Sequence, residues 1–315
     1  MPEKAQMVEA RHTEAALVEL GCDKTRALRL GERMNRERAF ETSIRLVKHF
    51  EQCCGPWPRL LWVSIYAHQQ RDEWKAVAEQ TTRLIEESPE DSDYWWWRGE
   101  AYAELGEYEQ AAADYHQSMA NTPNGYAAGR YAKWVDSALQ RPCEGAFALA
   151  YWIDLRPETV DDWAPRERAR LYLAGECDKL LGRGRASLKV TLDAPVNTAK
   201  LEVGGQTGTI SLSQPAGYTL LTKEFASRAG VTASPEVPIR VRMGGQWVVA
   251  RLVTLPQVRL GGAKAEQVMA AVVDSLPGGL DGVLGVNLAW RFRAANEGAK
   301  LTLEPWPAMN PGASR

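Results

Sequence analysis

From Ser92 to Gly125 the chain reads SDYWWWRGEAYAELGEYEQAAADYHQSMANTPNG, and few folds satisfy that spacing of small and aromatic residues. Gly99 and Ala111 leave room for two helices to approach closely, and Trp95, Tyr102 and Tyr115 supply the bulk that fills the space around them. Leu105-Gly106 and Tyr108 mark a turn, and Pro123 stops the second helix. The stretch predicts an antiparallel helix pair in 34 residues. Shifted back by that period, the frame puts Trp74 on the turn and Pro89 on the terminator; shifted forward, it puts Pro157 on the terminator and then Trp163 in the place of Trp95. Earlier, ERAFETSIRLVKHFE (residues 37–51) carries Phe40, Ile44, Val47 and Phe50 at helical spacing. Residues 1–184 thus read as about four helical hairpins, with 163–182 a closing helix.

These residues at this period resemble the tetratricopeptide (TPR) repeat. The resemblance implies an all-α solenoid whose concave face is lined by the first helix of each pair. The positions from which such a face is read fall on Trp62 and Tyr66, Trp96 and Glu100, and Arg130 and Trp134. Aromatic residues and Arg dominate binding hot spots, so this set suits a protein or peptide partner. The same tryptophans also suit packing between helices.

Composition removes other functions. Residues 1–184 hold 24 Lys and Arg against 31 Asp and Glu, and the remainder 14 against 9, so neither half has the basic stripe of a nucleic-acid binder. No run approaches the roughly 18 apolar residues of a membrane span. The N-terminus, MPEKAQMVEARHTEAALVEL, reads as an amphipathic helix without the apolar core of a secretory signal, and the expected location is the cytoplasm. Five cysteines (Cys22, Cys53, Cys54, Cys143, Cys177) have no short disulfide-framework spacing and read as reduced thiols. No His completes a zinc set with the Cys53-Cys54 pair, so neither metal nor other cofactor is expected. All four His and all five Cys precede residue 178, which leaves the C-terminal part without a Ser–His or Cys–His dyad.

At LGRGRAS (181–187) the texture turns from helical to strand-like, which makes this the linker candidate. Beyond it Leu188, Val190 and Leu192, then Leu201 and Val203, then Ile239, Val241 and Met243 alternate with polar residues. Gly-Gly pairs at 204–205, 244–245 and 261–262 read as tight turns between strands. The expectation is a small all-β domain over 187–305, with 306–315 a disordered tail apart from Trp306.

The order of features in that domain is similar to a retropepsin-like aspartic protease. AKLEVGGQTGTISLS leads into a turn, then YTLLTKEFASRAGV follows, in which Thr222 caps a helix ending at Gly230. The hairpin IRVRMGGQWVVARLV comes next, then a closing segment with Val283-Leu284-Gly285, a short helix and a last strand. The resemblance implies a barrel that pairs two catalytic aspartates, one per subunit, in a homodimer. The family's Asp-Thr/Ser-Gly falls on Ser213, Gln214 and Pro215, which depart from it at every place. Aspartic proteolysis needs two carboxylates about 3 Å apart sharing a proton. A serine hydroxyl without a base cannot take a proton from water. Asp274, Asp281 and Asp193 are read as cap or turn residues. LPGGLDGVLG lacks the Lys-Ser/Thr of a phosphate loop.

The leading expectation is a non-catalytic adaptor, with a TPR groove for a partner and a degenerate protease domain for dimerisation or a second contact. Two alternatives stand beside it: an atypical peptidase using Asp274 or Asp281, and a structural component of a larger assembly.

Overall fold

The structure is a computed structural model that describes residues 20–191, 196–231, 238–243, 245–297 and 299–307. The N-terminal amphipathic helix, Leu192, Asp193, Gly244 and the tail beyond 307 lie outside the described residues, as do the side chains of Gln214 and Pro215. The chain divides into two compact units, residues 1–89 and 90–315.

Helices of the first unit are α1 (Lys24–Arg36), α2 (Phe40–Cys54), α3 (Pro58–Gln69) and α4 (Trp74–Glu87). The second unit continues with α5 (Ser92–Glu104), α6 (Tyr108–Asn121), α7 (Gly125–Ser137), α8 (Pro142–Leu155) and α9 (Trp163–Ala174). Phe40, Trp74, Tyr108 and Pro142, which open the second helix of each pair, stand 34 residues apart. That is the period read from the sequence. Each second helix ends just before the expected proline: α4 before Pro89, α6 before Pro123 and α8 before Pro157. A Cβ on Gly99 would come within 2.8 Å of the Tyr115 ring, which is why α5 and α6 meet at that place.

Two cystine bridges correct the reading of reduced thiols. Cys22 is bonded to Cys54 and Cys143 to Cys177, leaving Cys53 free and exposed. The physical reason lies in the repeat. Cysteines 32 and 34 residues apart, about one period, come together in space although no short spacing announces them.

Helical structure ends with a turn at Cys177–Leu180, and β1 (Ala186–Lys189) begins the strands. Then come β2 (Thr198–Val203), β3 (Gln206–Ala216), β4 (Thr219–Thr222), α10 (Lys223–Arg228), β5 (Pro238–Met243), β6 (Gln246–Leu260) and β7 (Ala263–Val273). β8 (Gly282–Gly285), α11 (Val286–Ala289), β9 (Arg293–Glu297) and β10 (Lys300–Glu304) complete the chain. A three-stranded sheet has the order β1-β10-β9. The larger sheet runs β2-β3-β8-β4-β7-β6-β5, and β2 also pairs with β6 through Leu201 opposite Leu260, so the sheet rolls back on itself. Thr222 caps α10 as expected, accepting the Phe225 N–H at 3.2 Å.

The helices and strands of the second unit share their cores. Trp290, from the end of α11, lies with Tyr115, Tyr131 and Phe147 of the helices in one buried cluster. Ala113 of α6 lies with Tyr218, Leu220, Ile239 and Val283 in another. Trp306 donates its Nε1–H to the Trp290 carbonyl at 2.9 Å, and the Arg168 guanidinium of α9 stacks over its ring. No helix among the described residues is long and apolar enough to cross a membrane.

Candidate functional site: the turn after β3 and the helix seated on it

β3 and β8 run parallel, with Ile210 opposite Gly282 and Ala216 opposite Gly285, and the ladder is interrupted between Ser211 and Ala216. Ser213 lies in that interruption. It is exposed, its Oγ accepts the Asn197 N–H at 2.5 Å, and its own N–H is given to Ser211 Oγ at 3.2 Å. The turn's far side is clamped. Asn287 Oδ1 accepts from both the main chain and hydroxyl of Thr219, at 2.8 and 3.1 Å, and Thr219 Oγ1 accepts the Gly285 N–H. Donors and acceptors in this clamp are thereby satisfied in a buried place where an unpaired one would cost about 1–3 kcal/mol.

Helix α6 sits directly on this turn. Gln117 Oε1 accepts the Gly217 N–H at 3.0 Å. A Cβ on Gly217 would fall 2.7 Å from the Gln117 nitrogen and 2.8 Å from His116 Cβ, so glycine is the residue that lets the helix approach. Two turns earlier on α6, Gln110 Oε1 accepts the Arg240 N–H at 2.6 Å and its amide nitrogen donates to the Arg240 carbonyl at 3.3 Å. A side-chain amide has one donor and one acceptor facing the strand, so Gln110 satisfies the edge of β5 much as a neighbouring strand would.

Between these two glutamines His116 is 1% exposed. The rings of Tyr131, Tyr218 and Trp290 surround it at 4.4, 4.3 and 4.6 Å. Among the described residues neither of its ring nitrogens has a hydrogen-bond partner, and the Tyr218 hydroxyl and Trp290 Nε1 beside it have none either. Burial, reinforced by the Arg141 charge, holds the His116 pKa well below its ordinary value, so the ring is neutral.

The carboxylates considered as substitute acids are placed as follows. Asp281 is built into the frame: its Oδ2 accepts the Thr209 N–H at 2.8 Å and its Oδ1 pairs with Arg228 at 2.8 Å. Asp274 is exposed just after β7. Asp114 of α6 is held by Arg98 in a two-point pair at 2.7 and 2.8 Å with both side chains 1% exposed.

The six groove residues fall in both units. In the first, Trp62 and Tyr66 line a groove of about 400 Å³ with Arg36 and Arg59. In the second, Trp96 is half-buried and lies against Trp97 and Tyr126. Glu100 is buried, accepts the Tyr115 hydroxyl at 2.6 Å and pairs with Arg130 at 3.3 Å, so that charge pair is joined internally. Burial raises the Glu100 pKa. Trp134 is half-buried and stacks on Tyr108. Arg130 also lines an open groove of about 630 Å³ with Tyr126, Trp163, Arg166 and Arg170, and Tyr126 is 77% exposed. Sequence reasoning passed over Tyr126. Its only signal was a large aromatic one residue past a glycine that opens a first helix, at a position with no packing partner in the motif.

Helical hairpins on a 34-residue period, followed by a closed β module whose interrupted strand faces a hairpin, define a TPR-like region joined to an aspartyl-protease-like, retropepsin-like domain. Residues 199–288 match the family model described as aspartyl protease. Among solved structures, a retropepsin-like aspartic protease from Rickettsia conorii is 20% identical, the similarity covering 38% of this chain and 90% of that one with a TM-score of 0.29. A thermophilic TPR protein of Thermus thermophilus is 17% identical, covering 49% of this chain and 84% of that one with a TM-score of 0.36. MamA is 15% identical, covering 53% and 87%, with a TM-score of 0.35. None of the curated proteins compared with the chain matches it.

Proposed function

We propose that this chain is a non-catalytic interaction protein in which helical repeats engage a protein partner and the protease-like module serves as scaffold. The observation that carries this reading is the seat of α6. Gln117 on Gly217 and Gln110 on Arg240 support it, since they seat the chain's own helix on the turn that follows β3, four residues past Ser213, and against the edge strand β5. Ser213 in β3 offers an alcohol where the family's chemistry requires a carboxylate, and Asp281 is engaged with Arg228 and a main-chain N–H. The pseudoprotease reading follows from these together.

The family resemblance implies a homodimer through the protease-like module. Light scattering of the full chain tests it: a dimeric mass supports that reading, and a monomeric mass removes it. The two cystine bridges also favour an oxidising compartment over the cytoplasm.

The groove containing Tyr126 and Arg130 is the surface assigned to the partner. A photo-crosslinking residue placed at Tyr126 in native cells is expected to capture a discrete protein, and capture is expected to fall at least tenfold with Arg130→Ala or Trp96→Ala. Crosslinks independent of both substitutions would remove the groove from the proposal.

A further inference from the structure

Within the C-terminal unit, a cavity of about 610 Å³ opens where the start of α8 meets β6 and β7. Its wall includes Arg141, Glu144, Thr254, Gln267, Met269 and Arg291. Four of those six are charged or carry an amide, and all come from elements that the shared cores hold in place. The protease-like turn does not contribute to this wall, so the cavity is separate from the site described above.

Arg291 is the anomaly. It is 2% exposed, yet no carboxylate lies within ion-pair distance of it among the described residues. Its Nη atoms donate to the carbonyls of Leu180 at 3.3 Å and Gln267 at 3.2 Å, its Nε has no partner, and the Phe147 ring lies 4.5 Å below the guanidinium. Burial pulls its pKa down, against the opposing pull of the Glu144 charge nearby. Two carboxylates, Glu109 and Glu144, line the same wall, and both are engaged. Glu109 holds Arg141 at 2.6 Å, and Glu144 accepts the Tyr131 hydroxyl at 2.6 Å while lying 3.9 Å from Arg141.

One further feature favours negative charge in the same wall. The first turn of α8, a helix of 14 residues, contributes Pro142, Cys143 and Glu144 to the lining, so the positive end of its dipole faces the space. Gln267, whose carbonyl receives Arg291, is held at φ 51°, a left-handed backbone uncommon for a side-chain-bearing residue and recurrent at ligand sites. The nearby apolar wall of Leu180, Leu252 and Met269 would take a short hydrocarbon body.

We propose that this cavity binds a small organic carboxylate, with Arg291 as the counter-charge and the apolar wall holding the carbon skeleton. A free metabolite acid and the C-terminus of a peptide share that chemistry, so the test must separate them. The probes are propionate, succinate and benzoate, their amides, and an alanine tetrapeptide with a free or an amidated C-terminus, titrated calorimetrically into the full chain at constant ionic strength. The expected result is saturable one-to-one binding by at least one carboxylate, lost in its amide and weakened at least thirtyfold by Arg291→Met. Preference for the free tetrapeptide over the small acids would assign the site to a chain terminus, and the reverse to a metabolite. No saturable binding by any probe, or binding unchanged in Arg291→Met, would overturn the proposal.

A second readout is independent of the probe. Without ligand, Arg291→Met is expected to leave the melting temperature unchanged or raise it by about 2 °C, because an apolar side chain replaces a buried charge lacking its partner. A fall of more than about 5 °C would instead assign Arg291 to holding the Leu180 and Gln267 carbonyls, and would also overturn the proposal.

Discussion

Gln117 on α6 and Gly217 on the turn after β3 are joined by a 3.0 Å hydrogen bond across 100 residues of chain. This bond seats a helix of the repeat region on the turn that follows β3. It also makes the glycine intolerant of a side chain. Gly217→Val is expected to lower stability by about 2–3 kcal/mol, since the clash is with α6 backbone and cannot be relieved by a rotamer change. Urea denaturation of the full chain checks this; a loss below about 0.5 kcal/mol would mean that α6 does not rest on the turn.

His116 makes the same interface sensitive to acid. Its folded pKa lies well below the ordinary value because the ring is buried beside the Arg141 charge. The unfolded chain therefore takes up the proton first. Stability from the neutral ring is complete above about pH 6.5 and declines below it, by about 1.4 kcal/mol per pH unit, until the folded pKa is reached. Other groups titrate over that range too, so the comparison is with His116→Phe. The variant is expected to lose this part of the pH slope between pH 7.5 and 5, and equal slopes in both proteins would remove His116 as its source.

The bridge between Cys143 and Cys177 closes a separation of 34 residues. In the chain-entropy model a loop of that length contributes about 3–4 kcal/mol, so Cys143→Ser is expected to lower stability by about that amount. Mass spectrometry of the unreduced protein is expected to find both bridges and one alkylatable thiol, at Cys53. Five alkylatable thiols would restore the reduced reading.

Arg98 and Asp114 form the most enclosed ion pair described, and the Arg98 guanidinium also lies 4.2 Å from the Trp247 ring of β6. Arg98→Met alone is expected to cost about 3–5 kcal/mol because Asp114 would be left buried without its partner. Adding Asp114→Leu is expected to recover much of that loss. A double-mutant cycle with no coupling would contradict this account of the pair.

The sequence made the repeat legible because its markers are local. Pro89, Pro123 and Pro157 stop helices, and Gly99 admits a ring from the neighbouring helix. Thr222 was legible for the same reason, since a cap acts within one turn. What stayed hidden depends on contacts between distant segments. Gln110 and Gln117 stand two turns apart on α6, and nothing local marks their side as the seat of a β module. The pairing of Cys143 with Cys177 was available in principle, because it equals one repeat, but it required the period to be applied to cysteines. Arg291 reads as an ordinary surface charge until the fold buries it.

Catalysis of the family's kind would require a working pair of acids near the place that Ser213 holds in β3. The most direct test is peptide cleavage by the purified full chain against a broad library from pH 3 to 7, with and without pepstatin. No pepstatin-sensitive cleavage is expected at any pH, whereas cleavage that pepstatin abolishes, and that Asp274→Asn or Asp281→Asn also abolishes, would contradict the non-catalytic reading.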